Sequence, residues 1–222
     1  MGLDQYLFRM ARYGKCQPKD VIAINAYFDW KQDKENGKQK YTLKEWCGVS
    51  YNELKRYAIK FYETQRTVTY SDWDKEHKYP WIRCHEEVGY WRKANAIHKW
   101  FVDNVQDGED DCEYYEASKE QLEQLLHICK LIKDKCRMKS GKIENGQTFE
   151  HGQWKSMYTD GEFIENPEIA EEYLPTQGGF FFGGTDYDQY YMEDIESTIE
   201  ILTNVLAETD FDKQMIAYHS SW

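Results

Sequence analysis

Five side chains in the stretch YWRKANAIHKWF, residues 90–101, combine ring stacking, hydrogen bonding and positive charge. If this stretch is helical, they form a strip along the edge of an apolar helix face. An indole, a carboxamide, an imidazole and two cations suit an anionic ligand that carries a ring, such as a nucleotide. The predicted ligand-binding residues are therefore Trp91, Arg92, Asn95, His98 and Lys99.

The same stretch has a purely structural interpretation. Tyr90, Ala94, Ile97 and Phe101 recur at helical spacing, which predicts a stripe that anchors the helix to the core. On this interpretation the polar side chains of the strip bond to neighbouring backbone groups, and the two cations lie in water. The sequence leaves both interpretations open.

A catalytic or metal-binding role for the imidazole of His98 is a weaker alternative. Its pKa near neutrality suits acid–base chemistry, and His85 with two glutamates lies shortly upstream, which raises the hypothesis of a His/Glu hydrolase. No HExxH or His-x-His motif fixes a metal-ligand geometry, and no neighbouring nucleophile is evident. We therefore predict no catalytic residue, no metal site and no cofactor.

Two acidic turns in the C-terminal third resemble functional motifs only superficially. GGTDYD, residues 183–188, precedes a helix, where α/β proteins often hold phosphate, but its two aspartates would repel an anion. We predict that Asp186 caps this helix. Asp210 and Asp212 flank Phe211 before a strand, and the sequence favours turn formation over paired catalytic carboxylates.

The first third of the chain combines a strand with a helical segment. Strand formers predict a first strand over residues 3–10, and Pro18 followed by apolar residues at helical spacing predicts a helix to about Trp30. Residues 31–40 are charged and predict an exposed connection. We interpret 14–78 as a small helical insertion within a single domain, 1–222; a weak helix-turn-helix pattern around Gly48 leaves DNA binding as an alternative.

The remaining elements predict the fold class. Strands are expected before residue 90 and near residue 115, and Ser118 with Gln121 predicts a capping box that begins a helix to about Lys139. We further expect a turn at Asp160–Gly161, a buried strand over GGFFFGGT, a helix ending near Glu208, and a terminal strand. Together they predict an α+β fold, a mostly antiparallel sheet with long helices packed on one face.

The charge of the chain is strongly polarised. The net charge is −12, but residues 1–101 carry 19 Lys and Arg against 13 Asp and Glu, or +6, so residues 102–222 carry −18. This leaves two nucleic-acid alternatives: DNA binding through the basic insertion, or DNA mimicry by the acidic half.

The lengths of the apolar runs and the spacing of the cysteines predict the cellular compartment of the protein. No apolar run reaches the roughly 20 residues that span a bilayer, so we expect a cytoplasmic protein with no membrane partner. The six cysteines form no CxxC pair and are expected to be reduced, with Cys129 and Cys136 in the core.

Four motifs carry a resemblance that covers most of the chain outside 14–78: MGLDQYL, YWRKANAIHKWFVDNVQDG, LPTQGGFFFGGTDYD and ETDFDKQMIAYHSSW. The chain resembles an uncharacterised family of small proteins encoded by bacteriophages and prophages, for which no activity is established. The resemblance implies the cytoplasm of a bacterial host cell and an accessory role such as obstruction of host defence. The predicted function is capture of a nucleotide-like small molecule or a host protein without catalysis, and the aromatic surface is compatible with a homodimer.

Overall fold

The structure, a computed structural model, describes residues 2–12, 17–35, 37–38 and 85–222. These residues form an α+β fold with antiparallel sheets, as the sequence predicts. Apart from one helix, the predicted insertion at 14–78 and its helix-turn-helix pattern lie outside the described residues. The elements are β1 (Asp4–Ala11), α1 (Pro18–Glu35), β2 (His85–Arg92), α2 (Asn95–Asn104), β3 (Tyr115–Ala117), α3 (Lys119–Lys135), β4 (Met138–Glu150), β5 (Gln153–Ile164), α4 (Glu168–Tyr173), α5 (Gln189–Glu208) and β6 (Gln214–Ser221).

The main sheet has four antiparallel strands in the order β2-β1-β6-β3. The predicted first and last strands therefore lie side by side in its interior, with Asp4 opposite Ser221. Successive residues of a strand point to opposite faces. Ile216 and Tyr218 pack into the larger hydrophobic core, whereas Met215 and Ala217 pack into a smaller cluster on the other face.

Helices α2, α3 and α5 cover the face that carries the larger core, as predicted. Helix α1 packs against the opposite face, where its buried Val21 joins Met10. This helix extends to Glu35, five residues beyond the predicted end at about Trp30. None of the helices in the described part of the chain is both long and apolar enough to cross a membrane.

Helices α3 and α5 show which features could be predicted from neighbouring residues. Ser118 and Gln121 form the predicted capping box at the start of α3, and Cys129 and Cys136 are buried. Helix α3 ends at Lys135 rather than Lys139, because β4 begins at Met138. The cap of α5 differs from the prediction.

Asp188, rather than Asp186, caps α5, since its carboxylate accepts hydrogen bonds from the N–H groups of Tyr190 and Tyr191. The predicted turn that contains Asp210 is confirmed, because the Asp210 carboxylate accepts a bond from the N–H of Asp212.

A long two-stranded hairpin, β4–β5, occupies the region in which the turn at Asp160–Gly161 was predicted. Its turn lies at His151 and Gly152, whose φ angles are 52° and 81°, the left-handed geometry that tight hairpin turns require. The predicted turn at Asp160–Gly161 is wrong, because both residues lie within β5. Gly161 is needed there for space, since a Cβ atom would lie 2.5 Å from Ile143.

The predicted buried strand over GGFFFGGT is also wrong. This segment is a loop, in which the N–H of Phe182 bonds back to the carbonyl of Gly179. The turn leaves Phe180 95% exposed while Phe182 is buried, so the apolar run cannot form one continuous buried strand.

Candidate functional site

The junction between β2 and α2 divides the stretch that was predicted to be one helix. Arg92 still pairs with Asp4 in the sheet, and the helix begins only at Asn95. Between them Lys93 has a left-handed φ of 60°, held by a bond of 2.7 Å from its N–H to the carbonyl of Leu3. Such a conformation is uncommon for a residue with a side chain. The prediction of a continuous helix from residue 90 is therefore wrong.

The change from strand β2 to helix α2 also divides the predicted anchoring stripe. Tyr90 lies on β2 and is 41% exposed, whereas Ala94, Ile97 and Phe101 are completely buried. These three residues anchor α2 to the sheet, as the structural interpretation expects.

Trp91, a predicted binding residue, lies in the core between the sheet and α5. Its indole N–H donates a hydrogen bond of 2.9 Å to the hydroxyl of Thr198, and its ring contacts that of Phe101. The side chain is 3% exposed. Trp91 thus joins β2 to α5, and its predicted stacking face is covered by protein.

Asn95 holds the loop that follows α4. Its amide nitrogen donates to the carbonyls of Phe182 at 3.1 Å and Gly184 at 2.6 Å, and its oxygen accepts from the N–H of Gln177 at 2.9 Å. One buried carboxamide therefore binds the loop at both of its ends, so Asn95 determines the position of residues 177–184.

His98 is completely buried in a network of polar side chains. Its Nδ1 lies 2.8 Å from the hydroxyl of Tyr218, and its Nε2 lies 3.0 Å from the carboxylate of Asp110. The hydroxyl of Tyr218 is also 3.1 Å from the side-chain oxygen of Gln5. Asp110 accepts a further bond from the indole N–H of Trp222. We call Gln5, His98, Asp110 and Tyr218 the buried network, which Trp222, 46% exposed, links to the surface.

Burial determines the protonation of this network. It lowers the pKa of His98 below its ordinary value of 6.5, although Asp110 opposes the effect, and it raises the pKa of Tyr218 well above 10. A neutral imidazole has a single N–H, which at Nε2 would donate to Asp110 and leave Nδ1 to accept the hydroxyl proton of Tyr218. Protonation of His98 would release that hydroxyl to donate to Gln5. The network can therefore redistribute protons, but its imidazole cannot reach a ligand.

The structure does not bring the two histidines of the hydrolase hypothesis together. The ring of His85 packs edge-on against Phe8, which belongs to the cluster beside α1, whereas His98 lies beneath the opposite face. Within the described residues, no group of three or more His, Cys, Asp and Glu side chains could hold a metal ion.

The two predicted cations have different surroundings. Lys99 forms an ion pair of 2.6 Å with Asp103 one helical turn away on α2. Arg92 is exposed and, with Lys93 and Asn95, lines a cleft of about 860 Å³. Of the five predicted binding residues, only Arg92 and Asn95 line this cleft.

Much of the remaining lining is acidic, and we call the whole feature the acidic cleft. This acidic wall is formed by the bulge in β4, the loop after Gly183 and the first turns of α5. Tyr190, 46% exposed, adds an aromatic ring. The carboxylates that line the cleft are those of Glu144, Asp186, Asp188, Glu193 and Asp194.

Asp194 is the electrostatically distinctive residue of this wall. Burial, followed by the charges of Glu193 and Asp188, raises the pKa of Asp194 to about 7. At neutral pH this carboxyl group is thus poised between its ionised and protonated forms. Perturbed carboxyl groups in clefts are frequent at functional sites.

Sequence reasoning noted Asp186 and Asp188 but missed the other acidic residues of the wall, Lys93 and the partners of His98. Asp194 lies beside the apolar stripe of α5, where an acidic residue reads as part of the solvated face. The partner of His98 on β6 lies 120 residues away, so no local signal could identify it. Comparison of the chain with protein-family models, with curated proteins and with solved structures gives no match.

Proposed function

We propose that the protein is a binding protein that captures a nucleotide-like small molecule in the acidic cleft. The observation that carries this proposal is the composition of its lining, which includes two cations, Arg92 and Lys93, five carboxylates and an exposed tyrosine ring. A volume of about 860 Å³ lies within the range of small-molecule sites.

Each part of such a ligand has a chemical counterpart in the cleft. A phosphate group would pair with the guanidinium of Arg92, which can bind it in bidentate fashion, and with the ammonium group of Lys93. The amino and imino N–H groups of a base are hydrogen-bond donors, which suit a carboxylate wall. The ring of Tyr190 offers a stacking surface for the base. A simple anion would instead be repelled by the acidic wall.

Capture without catalysis fits the surroundings of the imidazole. His98 is completely buried, and both of its ring nitrogens face protein groups. The phage resemblance adds the setting to this proposal: an accessory protein in the cytoplasm of a bacterial host, with interference in host defence as one role for a protein that sequesters a nucleotide signal.

Isothermal titration calorimetry with nucleoside phosphates and cyclic mono- and dinucleotides tests the proposal. Arg92→Ala should weaken the binding of the responsive ligand at least about tenfold, the effect of losing one charge-assisted pair. Lys99→Ala is the matched control, since this cation was predicted in the same strip but pairs with Asp103. The affinity of the Lys99→Ala variant for the ligand should stay within about twofold of that of the unsubstituted protein.

Two results would contradict the proposal. One is that no compound of the panel binds. The other is that Arg92→Ala and Lys99→Ala weaken binding equally, which would indicate attraction by overall charge instead of contact in the cleft.

A further inference from the structure

The β4–β5 hairpin presents three large aromatic side chains to solvent. Phe149, Trp154 and Tyr158 are 59%, 69% and 65% exposed. Phe149 lies opposite Trp154 across the hairpin, with ring centroids 5.2 Å apart. Residues 154, 156 and 158 point to the same side of β5 because side chains alternate along a strand. We call Phe149, Trp154, Ser156 and Tyr158 the hairpin face.

Within the residues that the structure describes, the hairpin also has an unpaired strand edge. Near its base, the N–H of Ile164 bonds to the carbonyl of Tyr187, but residues 153–161 pair only with β4 within the described part of the chain. An isolated two-stranded hairpin is marginally stable in water, and a long exposed edge is a template for another strand. Contacts to the aromatic face would therefore stabilise this hairpin.

Charge identifies the occupant that this surface fits. Residues 138–164 carry three lysines and four carboxylates, or −1, although residues 102–222 carry −18. The lysines are paired with carboxylates: Lys139 with Glu165, Lys142 with Asp160 and Lys155 with Glu150. Cations already neutralised in this way are poorly suited to bind a nucleic-acid backbone. Two acidic chains, in contrast, can meet here with little repulsion.

We propose that the hairpin face binds a second copy of the chain and forms a symmetric homodimer. A twofold axis parallel to the plane of the hairpin would pack the two hairpin faces against each other and bring the two aromatic clusters together. The exposed parts of the three rings on both copies amount to on the order of 700 Å². The rings alone would therefore supply more than half of the roughly 1,200 Å² at which specific interfaces begin.

Sedimentation velocity of the full chain without ligand, at concentrations from about 1 to 100 μM, tests this inference. The chain should sediment as a species of twice its 26.7 kDa mass. Trp154→Ser with Tyr158→Thr should weaken the dimer at least about a hundredfold, since large central aromatic residues dominate interface energetics. Phe180→Ser, which removes an exposed ring outside the hairpin, is the control and should leave the dissociation constant unchanged.

A second variant keeps the aromatic residues in place. Ser156→Asp adds a carboxylate to the middle of the face on both copies, and it should weaken association about tenfold or more while circular dichroism stays unchanged. Raising the salt concentration should not dissociate the dimer, because aromatic contacts and not ion pairs hold the two faces together. A monomer at every concentration, or a dimer unaffected by either set of hairpin substitutions, would overturn the inference.

Discussion

Substitution of Asp194 by asparagine should make the folded protein more stable, and the gain should increase with pH. Burial raises the pKa of this carboxyl group from 3.8 to about 7. The folded state therefore binds the proton more tightly than the unfolded chain does. Stability from this difference is fully present below pH 3.8 and is lost as the pH rises through 7.

The size of the effect follows from the same two pKa values. Above pH 8 the group is ionised in both states, and keeping its charge in the folded protein costs about 4 kcal/mol. At pH 5 the folded carboxyl group is protonated, and the corresponding cost is about 2 kcal/mol. Asparagine resembles the protonated acid in shape but carries no charge, so Asp194→Asn should recover about 2 kcal/mol at pH 5 and about 4 kcal/mol at pH 8.

Urea denaturation of both proteins at pH 5 and pH 8 measures this difference. Glu200→Gln, an exposed substitution on the same helix, is the control for loss of one negative charge and should change the free energy of unfolding by less than about 0.5 kcal/mol at either pH. Equal gains for Asp194→Asn at the two pH values would refute the reasoning. Destabilisation at pH 8 would also refute it, since it would mean that the ionised carboxylate stabilises the fold.

Three further outcomes concern the buried network and the loop. Tyr218→Phe removes the hydroxyl shared by His98 and Gln5, so the free energy of unfolding in urea should fall by about 1–3 kcal/mol, and an unchanged value would contradict the network. Burial holds the pKa of His98 below 6.5 in the folded protein. Its neutral form therefore stabilises the fold above pH 6.5, and this stabilisation is lost as the pH falls through the folded-state pKa. An NMR titration of the ring should give a midpoint below 6.5, and a higher midpoint would show that Asp110 outweighs burial. Asn95→Asp places a carboxylate against two loop carbonyls, so chymotrypsin should cleave faster beside the exposed Phe180, whereas unchanged cleavage would show that other contacts hold the loop.

The sequence predicted well those helices whose signals are residues close together in the chain. The capping box of α3 requires only Ser118 and Gln121, three residues apart, and the apolar stripe of α5 repeats within each pair of turns. The β2–α2 junction could not be placed in this way. Arg92 belongs to the sheet because it pairs with Asp4, a contact between residues far apart in the sequence.

The candidate site likewise combines features that neighbouring residues reveal with contacts between residues far apart in the sequence. Arg92 and Asn95 were identified from residue type alone, and both line the acidic cleft. The spacing of Trp91 and His98 could not reveal that their partners, Thr198 and Tyr218, lie 107 and 120 residues away and enclose them in the core. Ligand binding by the predicted strip remains a prediction, now centred on its two residues in the cleft.

The order β2-β1-β6-β3 has a consequence for how this chain folds. Strand β1 pairs on one side with residues 85–92 and on the other with residues 214–221, so its hydrogen bonds span most of the sequence. High contact order slows folding, because segments far apart in the sequence must meet before their contacts can stabilise the fold. During synthesis the edge of β1 that β6 will cover stays open until residue 221 is available. The sheet therefore forms late. Until then the nascent chain presents an unpaired strand edge together with apolar side chains, during the interval in which chaperones act.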